Sequence, residues 1–201
     1  MGNDSALIIV DMQNDFCPGK ALAVSDDDAI VPVINRYIGL FRERGLPVMA
    51  SRDWHPRKTG HFKEFGGIWP AHCVKGSFGA RFRAGLLLPT GTRVFSKGTD
   101  PDRDDYSALK GQNDSGRTMA VYLKEEGIKN LFVCGLATDY CVLESVLEGM
   151  RLGFTVMVLA DAVSGVDVEA GDSVRAIAEM VSSGALLFTF DDLLKSDGSS
   201  P

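Results

Sequence analysis

Four stretches of this chain place a nucleophile, a proton acceptor or a ligand directly behind a short apolar run. Asp11 follows Leu7-Ile8-Ile9-Val10, Asp53 and His55 follow the run from Pro47 to Ser51, Lys97 follows Arg93 to Ser96, and Ala137 to Cys141 follow Asn130 to Gly135. If those runs are strands of one parallel sheet, the side chains behind them converge on its carboxyl rim, where ligands bind in open α/β sheets. A thiol, a carboxylate able to take its proton and a fixed ammonium are the ingredients of covalent acyl transfer. Taken singly, Cys141 reads as a small apolar filler, Asp11 as a strand end and Lys97 as a solvated charge. Only the trio Asp11, Lys97 and Cys141 points to chemistry. Cys141 also opens a helical stretch, where unpaired N–H groups and partial positive charge lower a thiol pKa, so a thiolate nucleophile is expected.

A second constellation is metallic. All three histidines of the chain, His55, His61 and His72, fall in one long loop, and Asp53 stands two residues before the first. A carboxylate with three imidazoles suits one divalent transition ion such as Zn²⁺, Fe²⁺ or Mn²⁺, with coordination positions left for water or a substrate atom. Cys73, next to His72, is the alternative ligand. Cys134 lies inside an apolar run and reads as core, and no role is assigned to Cys17.

The elements that must position these groups follow from hydrophobic patterning. Apolar or β-branched runs at Ala6–Val10, Pro47–Ser51, Arg93–Ser96, Asn130–Gly135, Thr155–Ala160 and Leu186–Phe190 read as six strands. Segments with helical spacing, Ala29–Arg44, Ser115–Glu126, Cys141–Leu152 and Val168–Ser182, alternate with them. Gly45, Gly127 and Gly153 stand where C-caps belong. Strands apolar throughout belong in a parallel sheet covered on both faces, so the expected fold is a three-layer α/β/α doubly wound fold around a six-stranded, mainly parallel sheet. Trp54 to Pro89 breaks the rhythm without a period of its own, and loops of that length are usually functional.

With 201 residues the chain suits one domain, taken as 1–195, followed by a Ser/Gly/Pro-rich tail at 196–201 that is expected to fray. A hydrophobic share of 45% beside 24% charged residues excludes a disordered or membrane-embedded chain. The net charge of −6 leaves no surplus of Lys and Arg to neutralise phosphates, so a small molecule is expected as partner and nucleic acid is not. No basic leader or long apolar stretch appears, which points to a cytoplasmic protein with no membrane partner. A homo-oligomer is allowed by the sequence but not specified.

Five motifs carry a resemblance: Asp11-Met12-Gln13-Asn14-Asp15-Phe16-Cys17, Asp53-Trp54-His55-Pro56, Trp69-Pro70-Ala71-His72-Cys73, Lys97-Gly98-Thr99-Asp100, and Gly135-Leu136-Ala137-Thr138-Asp139-Tyr140-Cys141-Val142. In that order they resemble the nicotinamidases of the isochorismatase-like cysteine hydrolase superfamily, over the span from the first strand to the fifth. The resemblance implies deamidation of nicotinamide, and of pyrazinamide, through a thioester on Cys141, with the nicotinate formed feeding NAD salvage. Asp11 would shuttle the proton and Lys97 balance the charge. The amides of Ala137 and Cys141 would form the oxyanion hole beside a cis peptide at Leu136–Ala137. Phe16, Trp69, Tyr106 and Tyr140 would wall the pocket. Asp53, His55, His61 and His72 would hold the metal, which anchors the pyridine nitrogen. Tyr140 occupies a position that varies in the family, so ring selectivity is not fixed by the likeness. The rivals are an isochorismatase, an N-carbamoyl amidohydrolase, or a silent binding protein on the same fold; an intact trio argues against the last.

Overall fold

Every residue of Ser5–Val10 is buried, and the strand's alternate side chains enter two different cores. Leu7 and Ile9 pack with Ile34, Tyr37 and Phe41 on one face, whereas Ala6, Ile8 and Val10 pack with Met119, Leu123 and Val146 on the other. A strand apolar on both faces needs a cover on each side, and the helices supply it. The computed structural model describes residues 1–196 apart from 17, 18, 20, 21, 25 and 26. Cys17 and the tail 197–201 therefore lie outside the described residues.

The strands are β1 (Ser5–Val10), β2 (Val48–Asp53), β3 (Arg93–Lys97), β4 (Asn130–Leu136), β5 (Thr155–Ser164) and β6 (Leu186–Phe188). They form one sheet in the order β3-β2-β1-β4-β5-β6, and every pairing is parallel rather than mainly so. Chain order reverses between β1 and β4, so the crevice beyond their carboxyl ends is where a ligand belongs. The helices are α1 (Asp27–Glu43), α2 (Met119–Glu125), α3 (Leu143–Arg151), α4 (Asp172–Ser182) and α5 (Phe190–Ser196). α1 and α5 contribute to one core, and α2, α3 and α4 to the other.

Several boundaries differ from the sequence expectation, each for a local reason. α2 begins at Met119 rather than Ser115 because the Thr118 hydroxyl caps it by accepting from the Val121 amide, while Asn113 ties up the amides of Ser115 and Arg117 in a turn. α4 begins at Asp172, after Gly171 at φ 89°. The helix expected from Cys141 starts at Leu143, because Thr138–Val142 forms a wider π-helical turn. β5 runs on past Ala160 to Ser164, with a register shift against β4 between Val133 and Gly135. β6 ends at Phe188 instead of Phe190, since Thr189 and Asp192 cap each other's amides and turn the chain into α5, a helix the apolar pattern did not announce.

Gly135 on β4 lies tight against β1: its φ is 109°, and a Cβ there would collide with the backbone of Val10. Gly135→Ala is expected to lower unfolding stability by roughly 3 kcal/mol or more. Denaturant unfolding measures it, and a change below about 1 kcal/mol would show that β4 can shift to accommodate the methyl group.

Candidate active site

Lys97 ends β3 fully enclosed, with Nζ 2.8 Å from Asp11 Oδ2, 2.5 Å from Asp53 Oδ1 and 3.3 Å from Cys141 Sγ. Its partners arrive from three other segments. Asp11 follows β1 at φ 48°, Asp53 closes β2, and Cys141 sits in the turn after β4. The expected trio is therefore one contact cluster, buried on all sides.

Its electrostatics correct the thiolate expectation. Burial pushes the Cys141 thiol up; Lys97 opposes this, but Asp11 and Asp53 reinforce it, and the pKa stands well above its ordinary value. A turn's partial positive charge cannot outweigh desolvation with two carboxylates nearby, so Cys141 rests as a thiol. Burial likewise raises Asp11 against the pull of Lys97. Burial works against Lys97 as well, but Asp11 and Asp53 overcome it and hold its pKa well above the ordinary value. Asp53 moves the other way: burial would raise it, yet Lys97 overcomes this and holds it far below the usual carboxylate range.

On the other side of Asp53 stand the imidazoles. His55 Nδ1 donates to the Gly98 carbonyl at 3.0 Å and His72 Nδ1 to the Pro70 carbonyl at 2.9 Å. A carbonyl can only accept, so in both rings Nδ1 carries a proton and Nε2 faces Asp53 Oδ2, at 3.7 and 3.9 Å. Asp53, His55 and His72 each present a ligand atom within 4.8 Å of the others, and burial lowers the His72 pKa, which keeps its ring neutral. Two oriented imidazoles and an ionised carboxylate fit a divalent ion. Gly98, at φ 62°, leaves room for this arrangement, as a Cβ there would meet the His55 ring.

His61 lines the same pocket, its ring centroid 5.0 Å from that of His55, but stands outside this trio. Its Nδ1 meets the Asp104 carboxylate and its Nε2 approaches the Asp100 carbonyl at 3.4 Å. Cys73 joins no ligand group among the described residues; its amide donates to Asp15 Oδ2 at 2.7 Å and burial raises its thiol. Of the two neighbours, His72 and not Cys73 presents its side chain to the group around Asp53.

Phe16, Trp69, Tyr106 and Tyr140 line the pocket together with Ala137 and Cys141. Trp69 Nε1 donates to the Tyr106 hydroxyl at 3.0 Å and stands edge-on to Tyr140 at 5.0 Å between centroids, while Phe16 leans on His72 at 5.8 Å. These faces enclose a slot suited to a flat aromatic ring. The Leu136–Ala137 peptide is cis, and the Ala137 carbonyl accepts from the amides of Tyr140 and Val142.

Several supporting residues escaped the sequence reading. Gln13 clamps β2 to the long loop: its Nε2 donates to the carbonyls of Asp53 and Ala80, and its Oε1 accepts from the Asp53 amide. Asp139 accepts from the amides of Val166 and Asp167, which ties the cysteine-bearing turn to the loop after β5. Ser51 donates to Asp11 Oδ1 at 2.7 Å. Gln13 and Asp139 lay within the quoted motifs. Ser51 showed itself only as a hydroxyl in an otherwise apolar buried strand.

Residues 5–192 match the family model described as the isochorismatase domain. Among curated proteins, the chain is 40% identical to the nicotinamidase of Escherichia coli (strain K12), covering 96% of this chain and 98% of that protein. Among solved structures, the pyrazinamidase of Pyrococcus horikoshii in complex with zinc is 43% identical with a TM-score of 0.85, covering 93% of this chain and 99% of that one. A protein from L. infantum solved in complex with nicotinate is 34% identical with a TM-score of 0.84, covering 96% of each chain.

Proposed function

The chain belongs to the isochorismatase family, and from that premise we propose that it is an amidohydrolase that deamidates nicotinamide to nicotinate and ammonia, with pyrazinamide as a second substrate. The observation that carries this reading is the meeting of Asp11, Lys97 and Cys141 with Asp53, His55 and His72 beside one aromatic slot. Ammonia release from a panel of aromatic amides tests it; no release from nicotinamide or pyrazinamide would overturn it.

The ring enters between Phe16, Trp69, Tyr106 and Tyr140 with its carboxamide over Cys141. Because burial keeps Cys141 a thiol, Asp11 takes the Sγ proton as sulfur attacks the carboxamide carbon. The carbonyl oxygen gathers negative charge against the amides of Ala137 and Cys141. When the C–N bond breaks, nitrogen collects the proton from Asp11, so ammonia leaves and a thioester remains. Asp11 then takes a proton from water as its oxygen attacks the acyl carbon; the C–S bond breaks, Asp11 returns its proton to sulfur so that the thiol is restored, and the acid leaves as nicotinate, its own proton passing to solvent. Lys97 stays charged throughout, held by its two carboxylates.

Asp53, His55 and His72, with His61 at hand, would hold one zinc, iron or manganese ion, and such an ion supplies an open coordination position to the pyridine nitrogen. Nicotinamide should then exceed benzamide, which lacks that nitrogen, by roughly a hundredfold or more in kcat/KM. The gap should close in His55→Ala, whose metal content by elemental analysis should also fall. Equal kcat/KM values for the two amides in the wild type would refute ring anchoring.

The same reading treats residues 1–195 as one catalytic domain and the product as a precursor for NAD salvage. No helix among the described residues is long and apolar enough to cross a membrane; with the acidic net charge, this supports a cytoplasmic enzyme acting on a small molecule.

A further inference from the structure

Asp11 has two oxygens, and the structure treats them differently. Oδ1 accepts from the Ser51 hydroxyl at 2.7 Å. Oδ2 is buried and, among the described residues, meets the Lys97 ammonium at 2.8 Å in an ion contact that is not aligned as a hydrogen bond. Asp11, Asp53 and Cys141 each bring one oxygen or sulfur within 4.8 Å of the others, so thiol and base share one small space. Ser51 is fully buried on β2, two residues before Asp53.

On the reading given above, we infer that Ser51 is a positioning residue that occupies Oδ1 and reserves Oδ2 as the oxygen that receives the Cys141 proton. The S–H bond breaks and an O–H bond forms at Oδ2 while the sulfur electron pair makes the C–S bond; the same oxygen later gives its proton to departing nitrogen. A carboxylate with both oxygens free can rotate about its Cβ–Cγ bond, which spends part of its time with no acceptor facing the thiol. The Ser51 hydrogen bond removes that freedom. Because Ser51 is not among the residues that line the ring slot, its effect falls on the chemical step and not on binding.

Ser51→Ala should lower kcat by roughly ten- to a hundredfold, the range set by one hydrogen bond to a charged group. KM for nicotinamide and inhibition by nicotinate should stay within about threefold, since neither contact with the ring changes. Ser51→Thr, which keeps the hydroxyl, should recover most of the lost kcat. Circular dichroism and thermal unfolding report whether each variant is folded; if Ser51→Ala is not, Ser51→Cys, nearly the same shape with a weak donor, should show the same selective loss of kcat. A folded Ser51→Ala or Ser51→Cys enzyme with wild-type kcat would overturn the role of Ser51, as would Ser51→Thr being as impaired as Ser51→Ala. Asp11→Asn separates this from the reading beneath it. Full activity in Asp11→Asn would sink the proton-shuttle reading, whereas an inactive Asp11→Asn beside a fully active Ser51→Ala would sink only the role of Ser51.

Discussion

Cys141→Ala is expected to lose turnover by roughly ten-thousandfold or more, because no other thiol among the described residues lines the pocket and residues of a catalytic unit fail together. The protein should remain folded: the change removes one sulfur at the edge of a core and leaves Lys97 with both its carboxylates. Steady-state kinetics and thermal unfolding on the same preparation measure the two effects. Mass spectrometry of wild-type enzyme quenched during turnover should find the nicotinoyl group on Cys141. Cys134→Ala should keep near-normal activity, since Cys134 is buried within β4 and its thiol, pushed well up by burial, faces the opposite core. A Cys141→Ala enzyme with substantial activity would end the covalent mechanism.

Lys97→Met is expected to damage both activity and the fold. Lys97 is the cation between two buried carboxylates, and removing one partner of a buried ion pair typically costs about 3 to 5 kcal/mol. For a chain of this size that corresponds to a fall in Tm of roughly 10 °C. The pH dependence has a definite sign. Without Lys97, Asp11 and Asp53 carry folded-state pKa values raised by burial and by each other, so they bind protons more readily folded than unfolded, and acid relieves the strain. The stability gap between wild type and Lys97→Met should therefore shrink as pH falls through the carboxylate range. Toward alkaline pH the wild type itself loses the contribution of Lys97, because a raised folded pKa stabilises below the unfolded value and ceases to do so above the folded one. An unchanged Tm at neutral pH would show that the carboxylates do not depend on Lys97.

The sheet and the trio were legible because both rest on patterns that sequence displays directly. Val10, Ser96 and Gly135 sit at or near the ends of apolar runs, and a parallel sheet brings whatever follows such runs to one edge. What stayed hidden depends on distances between segments far apart in the chain. The Cys141 thiol was expected to be acidic from its local turn, but its protonation is set by burial and by carboxylates arriving from β1 and β2. His61 does line one pocket with His55 and His72, but its contacts with Asp100 and Asp104 could not be read, because their loop has no period to place it. Ser51 was invisible as a partner of Asp11 because a hydroxyl in a strand has many uses, and only the β1–β2 pairing selects this one. α5 was missed because the apolar run Leu186 to Phe190 reads as one strand unless the reciprocal caps of Thr189 and Asp192 are noticed.

β1 lies between β2 and β4, so the first strand of the chain is joined on one side to a near neighbour and on the other to a strand synthesised far later. Asp11 rides on the first of these strands and Cys141 on the turn behind the last, so no contiguous piece of the chain short of that span contains the reacting pair. During synthesis Asp11 and Lys97 leave the ribosome well before Cys141. The two side chains therefore meet only where β4 pairs with β1, the contact of greatest sequence separation in the sheet's centre.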